Sequence, residues 1–280
     1  MINPQKFQTT YEARRTPTDG VTLVGFYGAD KPAALLNYQN SLKRALNDTV
    51  SHHRDLVRVQ ETEWLHATIC GLEGAKDQAG NIVTNNMKER ARNTGEAPRP
   101  FLVEEFLAFV RNAQPIRFRF GGYDPQDVNP HDLKRSPWTR SFEMREDGLA
   151  VLMGWPADKN DEPFAFDLHN LRMGVQKFGV VHKYHLTEGD IDNDFFMVIA
   201  ALEHPVWTRL SDEERRQVSI RLDQFQQELR NTLQREPFYA ELSPNHLWIV
   251  QYRTTTLADV VFAKRVTDIT AGEVRRLYGP

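Results

Sequence analysis

Four largely apolar runs of strand length constrain the fold of this chain most strongly. They cover residues 21–27 (VTLVGFY), 64–72 (WLHATICGL), 148–155 (GLAVLMGW) and 195–202 (FFMVIAAL). Short apolar runs bounded by polar or turn-forming residues are typical of buried β-strands. Each run is far shorter than the roughly 18 apolar residues that a membrane-spanning helix needs. The sequence therefore predicts a soluble protein built around a buried sheet, without a membrane partner.

The remaining pattern predicts shorter strands mixed with a few helices. Residues 116–120 (IRFRF) alternate strictly, which is typical of a half-exposed strand. Ser211 and Glu214 form a capping-box pattern, which predicts that a long polar helix begins there and runs to about residue 233. Because strands dominate and do not alternate regularly with helices, we expect an α+β fold with mostly antiparallel sheet. Further strands are predicted at 56–60, 238–242, 246–252 and 259–264, and further helices at 35–46, 101–110 and 164–178.

The predicted domain organisation is simple. Residues 1–20 are polar and aperiodic, so we expect a loosely held N-terminal arm, followed by a single domain over 21–280. Residues 73–98 are rich in Gly, Asn and charged side chains, and they predict a surface loop inserted into that domain.

Composition limits the compartment and the partners. The one cysteine, Cys70, cannot form an internal disulfide, and the first residues lack the apolar segment of a secretory signal, so we expect a cytoplasmic protein. A net charge of −3 gives no basic field to attract long nucleic acid. That argument leaves a nucleotide or a short oligonucleotide open as a partner.

The pair with the clearest chemistry is His66 and Thr68, inside the second apolar run. Side chains alternate between the two faces of a strand, so these two point the same way, while Leu65, Ala67 and Ile69 point toward the core. An imidazole moves protons near neutral pH, and a hydroxyl donates hydrogen bonds to phosphoryl oxygens. The pair therefore favours phosphate chemistry.

The segment LHATICGL resembles the first H-x-T motif of the 2H phosphoesterase superfamily, which includes 2′,3′-cyclic phosphodiesterases related to 2′-5′ RNA ligase. The order of elements over residues 21–262, including FRFGGY and GLAVLMG, is also similar. The resemblance implies a bilobal α+β fold, with two mostly antiparallel sheets flanking a central cleft and helices outside. It also implies metal-independent hydrolysis, in which one histidine is the general base, another is the general acid, and two threonines hold the phosphate.

Two alternatives stay open for the second motif. His185 and Thr187 form a literal H-x-T in KYHLTEGD, although the residues after them are polar rather than strand-like. Alternatively, Phe196 and Val198 of FFMVIAAL occupy the two positions, which makes the second half of the fold degenerate.

The predicted site is therefore His66, Thr68, His185 and Thr187, with no cofactor and no metal, because ligand spacings such as H-E-x-x-H are missing from the sequence. Arg117, Arg119 and Tyr184 are predicted to contact the substrate. The leading hypothesis is a phosphodiesterase acting on 2′,3′-cyclic or 2′-5′-linked nucleotides or short oligonucleotides. The alternatives are a degenerate 2H fold that binds a nucleotide without cleaving it, and an unrelated α+β protein.

Overall fold

The computed structural model describes residues 2–50, 53, 55–132, 135–185, 187 and 189–279, without the side chains of Pro17 and Asn47. Helices hold 38% of the residues and strands 26%, and the strands of the main sheet pair antiparallel. The chain is thus an α+β protein. Helices nevertheless hold more residues than strands, contrary to the expectation that strands dominate.

The strands are β1 (Arg15–Gly25), β2 (Val57–Val59), β3 (Ala67–Gly71), β4 (Gly74–Lys76), β5 (Ile82–Thr84), β6 (Ile116–Phe120), β7 (Phe142–Met144), β8 (Leu149–Pro156), β9 (Phe195–Leu202), β10 (Phe238–Leu242), β11 (Leu247–Thr254) and β12 (Val260–Arg265). The α-helices are α1 (Pro4–Glu12), α2 (Ala33–Thr49), α3 (Asn85–Thr94), α4 (Val103–Arg111), α5 (Pro137–Ser141), α6 (Asp167–Gly174), α7 (His204–Trp207), α8 (Asp212–Arg235) and α9 (Ala271–Arg276).

One sheet of ten strands organises the molecule, in the order β10-β6-β8-β9-β3-β1-β11-β12, with β2 beside β9 and β7 beside β8. Its two halves meet where β3 pairs with β9 through Ala67 and Met197. The two sheets expected from the sequence are therefore joined into one. The two strands at this junction, β3 and β9, come from two of the four apolar runs that predict buried strands, 64–72 and 195–202.

One face of the sheet is covered by helices. Ala67 and Met197 are fully buried there, in the same hydrophobic cluster as Leu35 and Leu42 of α2. The predicted capping box forms, because the Ser211 side chain accepts from the Glu214 amide and the Glu214 carboxylate accepts from Ser211, and α8 begins at Asp212. With its polar side outward, α8 buries apolar residues such as Leu222 against the core.

The N-terminal segment differs from the predicted loose arm. Asn3 caps α1 by accepting from the amides of Gln5 and Lys6, and Phe7 is fully buried. Phe7 packs edge-on against His204, with 5.0 Å between ring centroids. One apolar anchor in a nine-residue helix leaves no periodic pattern in the sequence, which is why the prediction missed it.

The predicted insertion at 73–98 also has more structure than a loop. It contains the hairpin β4–β5 and the helix α3, whose N-cap is Thr84. Val83 and Met87 are buried with Val181 in a small separate cluster. Three-residue strands are too short to give a recognisable alternation, so the sequence carries no clear signal for them.

Within the part of the chain that the structure describes, we find no helix whose length and apolar character suit it to crossing a lipid bilayer.

Candidate active site

The face of the sheet opposite α2 carries a cavity of about 760 Å³ at the junction of β3 and β9. His66 and Thr68 both line it, whereas Leu65, Ala67 and Ile69 are fully buried on the other side. The predicted alternation is therefore confirmed over residues 65–69, and it ends at Cys70, which is buried as Ile69 is. It brings an imidazole and a hydroxyl to one wall of the cavity.

His66 is held in a defined protonation state. Its Nδ1 lies 2.6 Å from the carbonyl oxygen of Trp64. Because a carbonyl only accepts hydrogen bonds, Nδ1 carries the proton, and Nε2 is left as an unprotonated acceptor. Burial lowers the pKa of His66 to about 4, so the ring is neutral at pH 7.

The adjoining wall on β9 is apolar. Phe196 and Val198 line the cavity, and Met153 of β8 pairs with Phe196 and lines it as well. The Arg145 guanidinium lies over the Phe196 ring, 5.7 Å from its centroid. Phe196 and Val198 thus lie on the strand beside the His66–Thr68 strand, at the positions that the degenerate alignment assigns to a second motif.

The literal motif at His185 and Thr187 has a different setting. Both lie in the connection between α6 and β9, Leu186 lies outside the described residues, and Thr187 is exposed. His185 is fully buried and does not line the cavity. Its Nε2 accepts from the Asp192 amide at 3.1 Å and lies 3.1 Å from His169 Nδ1. Burial lowers the pKa of His185 to about 4. The ring has a structural setting, with its acceptor nitrogen already occupied.

The cavity wall holds two further histidines that sequence reasoning missed, His131 and His182. His182 is the more deeply buried of the two. Only 4% of it is exposed, and its Nδ1 lies 3.3 Å from the Asp192 carboxylate. Burial lowers the pKa of His182 and raises the pKa of Asp192. No local motif marks His182, because its link to Asp192 depends on the loop between them folding back.

Arg172 connects this loop to β3. It is 2% exposed, and it donates to the carbonyl oxygens of Thr68 and Ile69 at 3.0 Å each. It also donates to the carbonyls of Asp192 and Asp194, at 3.3 and 3.2 Å. The guanidinium therefore fixes the backbone of β3 relative to the segment that carries Asp192.

The three residues predicted to contact the substrate lie in two different places. Tyr184 is 59% exposed and lines the cavity, as its neighbour Lys183 does. Arg117 pairs with an exposed aspartate, and Arg119 donates to the carbonyls of Gly121 and Gly122. Neither arginine lines the cavity, because β6 is separated from β3 by β8 and β9.

A carboxylate is built into another part of the cavity wall. Glu73 Oε1 accepts from the Tyr252 hydroxyl at 2.6 Å, and both residues line the cavity. A Cβ at Gly71 would lie 2.5 Å from Glu73 Oε2, and one at Gly20 would lie 2.5 Å from the Tyr252 ring. A side chain at Gly20 would therefore collide with Tyr252, whereas rotation of the Glu73 carboxylate would make room for one at Gly71.

Among the described residues, no group of three or more His, Cys, Asp or Glu side chains has the arrangement of a metal site. The sequence matches no model of a known protein family and no curated protein.

Proposed function

We propose that this protein is a metal-independent phosphodiesterase that hydrolyses 2′,3′-cyclic or 2′-5′-linked phosphodiesters of nucleotides or short oligonucleotides. The observation that carries the proposal is the pairing of His66 and Thr68 on one wall of a cavity large enough for a nucleotide. His66 Nε2 is free for proton transfer, and the Thr68 hydroxyl suits a non-bridging phosphate oxygen.

The arrangement of the sheet supports a bilobal fold of the 2H kind. On one side of the Ala67–Met197 pair the order is β3-β1-β11-β12, and on the other side it is β9-β8-β6-β10. Four strands of this order thus lie on each side of the junction, and the β9 side also holds β2 and β7. The cavity lies where the two halves meet, which is where a bilobal fold would have its cleft.

The walls of the cavity support a nucleotide as the ligand class. Phe196, Val198 and Met153 offer an apolar surface on which a base can pack. Lys183 and Arg145 also line the cavity and carry positive charge that would attract a phosphate, although Arg145 is paired with Asp147. The ligand would therefore place its base on β9 and its phosphodiester on β3.

The test is a turnover assay in EDTA with a panel of 2′,3′-cyclic nucleotides, 2′-5′ oligoadenylates and cyclic dinucleotides. We expect wild-type protein to cleave at least one of them. The His66→Ala variant should lose about 10²–10⁴-fold in rate, as removal of a proton-transfer group does. Thr68→Val, which keeps the shape but removes the hydroxyl, should lose less. Equal turnover by wild type and His66→Ala would contradict the proposal.

A second candidate function is favoured by the apolar wall and by the burial of His185. With Phe196 and Val198 on β9, the cavity presents one H-x-T pair and an apolar counterpart, and it would then bind a nucleotide without cleaving it. The test is calorimetry with the same panel of nucleotides. If the wild-type protein binds one of them but cleaves none, the result favours the binding module over the enzyme.

A further inference from the structure

The wall of the cavity beyond Thr68 carries a carboxylate without a cation. Glu73 lines the cavity, and it takes part in none of the ion pairs of the described residues. Its Oε1 accepts from the Tyr252 hydroxyl at 2.6 Å. Burial and the neighbouring carboxylate raise the pKa of Tyr252, so the hydroxyl keeps the proton that it donates. Tyr252 thus orients the carboxylate without neutralising it, and Oε2 is left as an acceptor for a ligand.

A second acceptor lies beside this carboxylate. Asn86 also lines the cavity, and its Nδ2 donates to the Val181 carbonyl oxygen at 2.9 Å, so Oδ1 is the end of the amide left as an acceptor. The position that a Cβ at Gly71 would take lies 2.5 Å from Glu73 Oε2 and 3.5 Å from Asn86 Nδ2. Gly71 itself lines the cavity. Both polar side chains therefore lie over Gly71, on the face of β3 that forms the cavity wall.

The backbone that carries Glu73 is held in place before any ligand binds. The Leu72 carbonyl oxygen accepts from the Tyr278 hydroxyl at 2.7 Å, and the Glu73 carbonyl oxygen accepts from the Asn85 amide at 2.7 Å. The Tyr252 hydroxyl fixes the carboxylate itself. A binding group whose backbone and side chain are both fixed loses little conformational freedom when it binds a ligand.

The two acceptors lie about one nucleoside away from the proposed phosphate site. Gly71 is three residues beyond Thr68 on β3, and a strand rises about 3.3 Å per residue, so the two positions are about 10 Å apart. A nucleotide spans a similar distance between its phosphorus atom and the hydrogen-bonding edge of its base. A phosphodiester at Thr68 would therefore bring the edge of one base to Glu73. The apolar wall at Phe196 remains for the other base of the same diester.

We propose that Glu73, with Asn86 beside it, forms a subsite that selects guanine as one of the two bases of the diester. The inference rests on the proposed phosphodiesterase function and names its preferred substrate class, 2′-5′-linked dinucleotides that contain guanosine. Guanine presents N1–H and the 2-amino group side by side on one edge. An ionised carboxylate only accepts hydrogen bonds, so Glu73 can accept from both of these donors.

The other bases lack this pair of donors. Adenine and cytosine each present an unprotonated ring nitrogen beside their amino group, and uracil presents one N–H between two carbonyl oxygens. Each of them would turn an acceptor toward the Glu73 carboxylate, which disfavours binding. A hydrogen bond to a charged group contributes enough to favour guanine by about 10–150-fold.

The experiment measures kcat/KM in EDTA for the 2′-5′-linked dinucleotides ApA, ApG and GpA. A fourth substrate replaces the guanosine of the better guanosine dimer with inosine, which keeps N1–H but lacks the 2-amino group. The proteins are wild type and Glu73→Gln, with Glu89→Gln as the matched control. Glu89 is an exposed residue of α3 that does not line the cavity. Thermal unfolding of each variant checks that it folds.

We expect wild type to prefer the better guanosine dimer over ApA by about tenfold or more in kcat/KM, with the inosine dimer between them. Glu73→Gln should lower this preference by about tenfold or more, because an amide lacks the charge and accepts at only one of its two ends. Glu89→Gln should keep the preference of wild type.

Equal kcat/KM values of wild type for ApA and for both guanosine dimers would overturn this inference and leave the proposed function standing. A folded Glu73→Gln variant with the wild-type preference would do the same. If Glu73→Gln does not fold, the order of the guanosine, inosine and adenosine dimers in wild type decides. If wild type cleaves none of the dimers, the proposed function is contradicted. The Kd values of the same dimers, measured by calorimetry, then decide this inference: a guanosine dimer bound about tenfold tighter than ApA supports it, and equal Kd values overturn it.

Discussion

Ala67 on β3 pairs with Met197 on β9, and the antiparallel pair relates the two strands by an approximate twofold rotation. The residues that this rotation makes equivalent are His66 with Phe196 and Thr68 with Val198. All four of these side chains line one cavity. The two halves of the sheet thus present equivalent positions with different chemistry. One half offers an imidazole and a hydroxyl, and the other offers an aromatic ring and an isopropyl group.

The apolar half makes a prediction about binding. Replacing Phe196 with Ala removes the surface on which a base would stack, and such contacts are worth about 1–3 kcal/mol per base. We therefore expect the Kd of a nucleotide, measured by calorimetry on a His66→Ala background, to rise about 5–150-fold.

The matched control for this measurement is Ile220→Ala on the same His66→Ala background. Ile220 is an exposed apolar residue of α8 that does not line the cavity, so its truncation should leave the Kd unchanged. Equal Kd values with and without the Phe196→Ala change would contradict the stacking role of β9.

The buried histidines predict how stability depends on pH. Burial lowers the pKa of both His66 and His185 from 6.5 to about 4. As the pH falls from 6.5 toward 4, the unfolded chain therefore binds protons that the folded protein does not bind, and the free energy of unfolding decreases. This contribution to stability is fully present above about pH 6.5.

The His185→Gln variant isolates the contribution of His185 to that pH dependence. The free energy of unfolding, measured by urea denaturation, should fall between about pH 7 and pH 4 in both proteins. We expect this fall to be about 2–3 kcal/mol smaller in His185→Gln than in wild type. Thr187→Ala should retain the wild-type pH dependence. If His185→Gln retains it as well, His185 is not kept neutral by the fold.

Removing the charge of Arg172 should lower the free energy of unfolding by a large amount. Its guanidinium donates to carbonyls of β3 and of the segment before β9, so Arg172→Met leaves those acceptors and Asp192 without their partner. Breaking a buried ion pair in this way costs about 3–5 kcal/mol. Urea denaturation measures the loss.

Arg117→Met is the matched control for Arg172→Met. Its ion pair with Asp161 is exposed, and such pairs contribute about 0–1 kcal/mol. Similar losses of stability in the two variants would show that Arg172 does not join β3 to the segment before β9.

Two glycines give opposite predictions for the same substitution. A Cβ at Gly20 would lie within 2.9 Å of three atoms of Tyr252 and would displace that side chain from Glu73, so Gly20→Ala should destabilise the protein by about 1–3 kcal/mol. Gly272 lies in α9 with no atom within 4 Å of an added Cβ, so Gly272→Ala should stabilise by about 0.5–1 kcal/mol. Thermal unfolding checks both, and a neutral Gly20→Ala would contradict the fit of the Tyr252 side chain.

Local rules were enough to predict one wall of the cavity and part of the fold. The alternation that brings His66 and Thr68 to one face follows from strand geometry alone. The capping box at Ser211 is likewise a local pattern, and it forms. Phe196 and Val198 lie on a strand that its own apolar run predicts, which is why the alternative alignment includes them.

The features of the site that the sequence did not reveal depend on tertiary contacts. The pairing of His182 with Asp192 depends on a loop without periodicity, and the burial of His185 depends on the same loop. Arg117 shares the alternating pattern of a half-exposed strand, but strand order rather than pattern determines that two strands separate β6 from β3. Strand order arises from long-range pairing, which a local pattern does not encode.

The most direct test of phosphodiesterase activity is ³¹P NMR of adenosine 2′,3′-cyclic phosphate incubated with a stoichiometric amount of protein in EDTA. We expect wild type to convert the cyclic diester signal into that of a monoester, and His66→Ala to leave the diester intact. A diester signal that persists with wild-type protein across the cyclic nucleotides would contradict phosphodiesterase activity at His66 and Thr68.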